Sequence, residues 1–303
     1  MRYAIDVEFQ PLYELMNSLH TYLCRKFYKK IELSPAWANE VKARLTPEFA
    51  ELLDLSLLDR DWKAAYLLAY LSPNPKTPQR FLHWLERESA DSIRSRTAAY
   101  EVELPEDIEA FLRRLHQMIH EWNEQYFRHC DPAVIGALGR HASSEARQRE
   151  NETPEGFVDR LTHGLVFEKM AGLERLLLIP QYHFQPVNVI YHYGKLTICH
   201  YASDVHFEDP GMPTPRMYRA LRSLGEKNRL KILKYLEKGP RTFIEIARHL
   251  GLSKGIAHDH VSSLRRAGLT RAHFEGETLT IYSLRMSAIE GLSAELTEYI
   301  GSE

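Results

Sequence analysis

The stretch 240–284 constrains this 303-residue chain more than any other: two short amphipathic patterns flank a single glycine, and an alternating hairpin follows. Thr242 with Glu245 three residues on predicts a capping box, which satisfies two otherwise unpaired helix amides. Ile244, Ile246, Ala247 and Leu250 supply an apolar stripe, and Gly251 can take the left-handed backbone that ends a helix. Ser253 then caps a second helix that runs to Ala267 and stops at Gly268. On that helix Ile256, Ala257, Val261 and Leu264 are expected to face the core. Lys254, Gly255, His258, Asp259, Ser262 and Arg265 share the other side. Leu269–Phe274 and Thr278–Leu284 alternate with period two and reverse at Glu275-Gly276-Glu277.

Two helices, a tight glycine turn and a ribbon in this order predict a winged helix-turn-helix, whose second helix enters the major groove of DNA. Residues 215–300 resemble the arsenic-repressor (ArsR) type of winged-helix regulators. The resemblance is carried by Leu252-Ser253, His260-Val261, Leu264-Arg265-Arg266-Ala267-Gly268-Leu269 and the wing end Ile281-Tyr282-Ser283-Leu284. It departs where His258 and Asp259 replace the family's frequent serine and histidine, and where Glu275 and Glu277 replace a basic wing tip. The expected interface has Lys254, Gly255, His258, Asp259 and Ser262 at base edges. Arg241, Arg265, Arg266 and Arg271 are expected on phosphates, with Thr242, Ser253, His260 and His273 beside them.

Charge falls where the motif falls. Residues 215–285 hold 15 basic and 6 acidic side chains, whereas residues 1–214 hold 24 basic and 31 acidic. A polyanion partner requires such a local basic footprint. Tyr218, Leu221 and Leu224 before the motif, and Ile289, Leu292, Leu296 and Ile300 after it, form two apolar stripes. One small core rarely needs both, so a homodimer is expected, and regulators of the resembled type pair through these helices. The function expected is that of a dimeric transcriptional repressor acting on a double-stranded operator.

The fold class expected is mainly α (α+β). A mostly helical domain at 1–207, with a β segment at about 174–203, precedes a linker at 208–214 and the winged helix at 215–303. Capping residues before prolines (Ser34-Pro35, Thr46-Pro47, Thr77-Pro78, Asp131-Pro132 and Thr153-Pro154) announce several helices. Long helices are expected at about Pro11–Lys29 and Pro105–Tyr126, and a hairpin turning at Gly194. No apolar run approaches the roughly 20 residues of a membrane span, and Cys24, Cys130 and Cys199 lie too far apart to suggest a disulfide framework, so a cytoplasmic setting is expected.

The large domain leaves an effector site open. Trp37, Trp62, Tyr66, Tyr70, Phe81, Trp84, Trp122, Tyr126 and Phe127 could line one, although aromatic residues at helical spacing usually form core. His116, His120 and Glu124, four apart on one helix face, are the best metal candidate, but a polar helix face explains them more simply. No cofactor is expected. Nor is an enzyme: no glycine-rich phosphate loop, GxSxG elbow or HExxH occurs. The alternative is a winged helix serving as the dimerisation or interaction module of a small-molecule methyltransferase.

Overall fold

The computed structural model describes residues 3–206 and 211–301. The chain runs β1 (Ala4–Val7), α1 (Pro11–Leu23), α2 (Ser34–Arg44), α3 (Pro47–Leu55), α4 (Asp61–Leu71), α5 (Pro78–Leu85), α6 (Ala90–Thr97), α7 (Ile108–Gln125) and α8 (Pro132–Gln148). Next come α9 (Pro154–Leu161), β2 (Leu165–Phe167), β3 (Arg175–Gln181), β4 (Val189–His192) and β5 (Leu196–Ala202). Last are α10 (Pro215–Leu224), α11 (Lys227–Glu237), α12 (Phe243–Leu250), α13 (Lys254–Arg266), β6 (Thr270–Glu275), β7 (Thr278–Leu284) and α14 (Met286–Gly301). None of the described helices is long and apolar enough to cross a membrane.

These elements form two compact units, and the division departs from the expected one. The larger holds 3–148 and 172–205; the smaller holds 149–171 with His206 and everything described after it. Residues 149–171 were expected within the N-terminal domain. They cluster instead with the winged helix, because β2 pairs in parallel with β6, Leu165 opposite Ala272 and Phe167 opposite Phe274. Three residues carry no readable period, so sequence offers no sign of that strand. Of the expected linker, 208–210 lie outside the described residues, and Thr214 caps α10 by accepting from the Met217 amide.

In the larger unit four strands order β1-β3-β5-β4, with β4 antiparallel to β5 and the others parallel. Leu176, Leu177, Leu178 and Ile179 of β3 are fully buried, as a parallel strand covered on both faces requires. Helix α1 is buried from Leu12 to Leu23 and stops there rather than at Lys29. Arg25, Lys26, Lys29 and Lys30 follow, whose charges could not be carried into the same apolar surroundings. Thr46, Thr77 and Thr153 act as the expected caps, each accepting from an amide three residues on. Ser34 does not: it is the first residue of α2, with a positive φ of 62°.

Candidate nucleic-acid interface

The smaller unit builds its helix-turn-helix from local rules. Thr242 Oγ1 accepts from the Glu245 amide at 3.3 Å, and the Glu245 carboxylate accepts from the Thr242 amide at 2.8 Å. Gly251 has φ 63°, the left-handed conformation that lets the chain leave α12 and start α13 two residues later. Ser253 Oγ accepts from the Ile256 amide and caps α13, whose first residues Lys254, Gly255 and Ile256 are exposed.

Helix α13 then divides into two faces. Ala257, Val261 and Leu264 are buried, whereas Lys254, Gly255, His258 and Asp259 are exposed, and Ser262 is half-buried beside the His258 ring. The Phe243 ring meets His258 edge-on at 6.1 Å and so links the two helices of the motif. Two apolar residues expected in the core are in water: Ile244 is 59 % and Ile256 51 % exposed. The stripe of α12 that obeys i, i+3, i+4, i+7 is Phe243, Ile246, Ala247 and Leu250, and Ile244 lies well off it. In α13 the buried series is Ala257, Val261 and Leu264, about 100° round the helix from Ile256.

Several arginines expected on phosphates are already engaged. Arg271 Nε donates to Asp159 at 2.6 Å and its Nη1 to the Leu284 carbonyl. Arg285 Nε donates to the other oxygen of the same carboxylate at 2.9 Å. Arg265 donates to the carbonyls of His163 and Thr162 at 2.8 and 3.2 Å. Burial lowers the pKa of Arg266, whose Nη2 lies 3.4 Å from Ser263 Oγ. His273 sits between Glu168 and Ser283, and His260 faces Glu226 at 3.5 Å. Arg265, Arg271, Arg285 and His273 thereby tie α13 and the wing to the 159–168 segment of α9 and β2. Sequence reasoning missed Asp159, which lies over a hundred positions from both arginines and has no local signal.

Arg241 stays at the surface, its guanidinium 4.9 Å above the Tyr235 ring, which stacks on His249 at 3.9 Å. Arg248, Lys254 and Lys238 are exposed, as are Glu275 and Glu277 at the wing tip. Within the helix-turn-helix and wing, accessible basic side chains are therefore Arg241, Arg248 and Lys254, whereas the wing tip carries Glu275 and Glu277. Arg248 was not singled out from sequence; it lies on the solvent side of α12, opposite Ile246 and Ala247.

The other candidates separate. Tyr218 and Ile300 are 52 % and 73 % exposed, whereas Leu292 is buried and Leu221, Leu224, Ile289 and Leu296 are partly covered where α10 packs on α14. Those two stripes are thus in part each other's partner. His116 Nε2 faces Glu86 at 3.2 Å, the His120 ring stacks on His116, and Glu124 pairs with Arg128. Among the described residues no group of three or more such side chains could hold a metal ion. Trp37 and Tyr70 are half-buried, whereas the other seven aromatics proposed as pocket material are buried.

Residues 226–271 match the family model for the bacterial regulatory proteins of the arsR family. Over these residues the helix-turn-helix is similar to that of the arsR family. A crystal structure of a possible transcriptional regulatory protein (fragment 1–100) from Mycobacterium bovis is 26 % identical over 29 % of this chain and 92 % of its own, with a TM-score of 0.23. A solution structure of a homodimeric winged helix-turn-helix DNA-binding domain from the same organism, a possible ArsR-family regulator, is 22 % identical. It covers 33 % of this chain and 94 % of its own, with a TM-score of 0.25. No curated protein matches.

Proposed function

We propose that this protein is a DNA-binding transcriptional regulator of the ArsR type that reads the major groove with α13. One observation carries the reading: Lys254, Gly255, His258 and Asp259 stand exposed on one side of a capped helix, behind a left-handed glycine, while its other side is buried. An α-helix with one donor-rich face is what the groove admits. Arg248 and Arg241 hold phosphates in this proposal, Lys254 at the first turn of α13 moves from the expected base edge to a phosphate, and Arg265 and Arg271 move to a structural role. The test begins with selection of bound fragments from genomic DNA, followed by mobility shifts on the best fragment and on random duplex. His258→Ala is expected to cost about 1–3 kcal/mol of discrimination at one base pair and leave random DNA unaffected. Lys254→Ala is expected to weaken every duplex and to lower the salt slope by about one. Equal losses on both DNAs for both variants would contradict this division of labour.

The protein acts as a homodimer in this reading, the second copy covering the outer faces of α10 and α14 around Tyr218 and Ile300. Those are large apolar side chains left in water by the packing of the two helices on each other. Repression follows if such a dimer occupies promoter DNA. Sedimentation of the whole chain is expected to give a dimer, and Tyr218→Glu a monomer; a monomeric parent protein sinks the proposal.

A further inference from the structure

We propose that the larger unit binds a small amphiphilic cation, an apolar or aromatic group carrying one ammonium, in the cavity between α3, α4 and α7. The inference supplies a ligand class for the regulator reading above and rests on it only for its biological use. The cavity measures about 320 Å³, at the small end of the range of ligand sites. Its floor is apolar and built: Trp62, Ala65, Phe111, Leu115 and Met118 line it and are each at most 6 % exposed.

The mouth is unusual in two ways. Leu55 and Leu57, which also line it, are each 77 % exposed, so apolar surface stands in water where a guest's apolar body would cover it. The charges there do not balance. Asp61 pairs with Arg114 at 2.9 Å, which neutralises the one guanidinium of the lining. The Asp59 carboxylate accepts the Asp61 amide at 3.0 Å through one oxygen only. The lining therefore holds two carboxylates against one cation, with Trp62 beside them. An ammonium is attracted to the uncompensated Asp59 carboxylate, whereas a carboxylate guest must either compete with Asp61 for Arg114 or face Asp59.

A matched pair of probes tests the sign. The whole chain is titrated by calorimetry with 4-phenylbutylamine, a cation at neutral pH, and with 4-phenylbutanoate, the corresponding anion. Intrinsic fluorescence is followed in parallel. The amine is expected to bind at least tenfold more tightly than the acid and to change the fluorescence, and Trp62→Phe is expected to remove that change while retaining the heat of binding. Asp59→Asn, at an exposed position, is expected to weaken the amine several-fold and leave the acid unaltered. Equal or tighter binding of the acid, indifference of the amine to Asp59→Asn, or no binding of either probe overturns the inference. None of these readouts involves DNA. Loss of the regulator reading would instead appear as failure of the unliganded protein to retard any duplex.

Discussion

Asp159→Ala is expected to destabilise the smaller unit by about 3 kcal/mol or more, the cost of removing one partner from a largely buried ion cluster. Its carboxylate receives Arg271 Nε on one oxygen and Arg285 Nε on the other, and the side chains of Arg285 and Asp159 are only 10 % and 15 % exposed. Deleting the carboxylate leaves two guanidinium groups facing each other with no counter-charge in a region that water reaches poorly. Arg285 would keep its bonds to the carbonyls of Gly268 and Asp159, which cannot neutralise it. Asp159→Asn is expected to lose nearly as much, since shape is retained and charge is not. All four tryptophans lie in the larger unit, so fluorescence does not follow this event. Amide exchange does: the Ala272 amide donates to the Gly164 carbonyl across the β2–β6 junction at 2.8 Å. Its protection is expected to fall by about a hundredfold, because about 1.4 kcal/mol corresponds to a factor of ten. A change below threefold would show that the cluster is not what joins α9 to the wing.

Glu14→Ala should damage the larger unit comparably, by about 3–5 kcal/mol. Glu14 is fully buried on α1, and one of its oxygens accepts from the amides of Tyr182 and His183 and from His183 Nδ1, at 3.1, 3.0 and 2.5 Å. The chain continues from His183 Nε2 to the Tyr126 hydroxyl and from there to the Trp37 indole, each step 2.8 Å. Burial alone would push the His183 pKa down, but hydrogen bonding to Cys130 and Glu14 outweighs it and raises the group to about 9. A raised pKa binds protons more tightly in the folded state. The stability it confers is complete below the ordinary histidine value of about 6.5 and is lost as pH climbs through about 9. Denaturant unfolding followed by tryptophan fluorescence should therefore show stability falling between pH 6.5 and 9.5, and Glu14→Gln should flatten that fall. A parent protein equally stable at both ends would exclude a charged Glu14–His183 pair. His20 and His200, buried without such a partner, are pushed down to about 4 and 3 and stay neutral throughout.

The parts of the interface that could be read from sequence obey rules spanning a few residues. Thr242 with Glu245, Gly251 and Ser253 announce their roles because a cap or a left-handed turn is satisfied by atoms at most three positions away. The exposed face of α13 follows from a period of 3.6 once both ends are placed. The departures from expectation share one cause. Ile256 is expected inward for being apolar, and Arg265 and Arg271 on phosphates for being charged, yet the direction each side chain takes depends on what the rest of the fold presents. Arg271 turns toward Asp159, and Ile256 has no core surface above it.

Local chemistry in the chain was thus sufficient to determine the helix-turn-helix, its hairpin and the basic character of the region, since each arises from neighbours along the backbone. Tertiary structure alone decided that 149–171 complete the winged unit, which arginines are consumed in holding it, and where apolar walls and unbalanced carboxylates enclose a cavity. Those outcomes depend on groups tens to over a hundred residues apart, whose meeting is set by the packing of whole elements and leaves no periodic trace in the sequence.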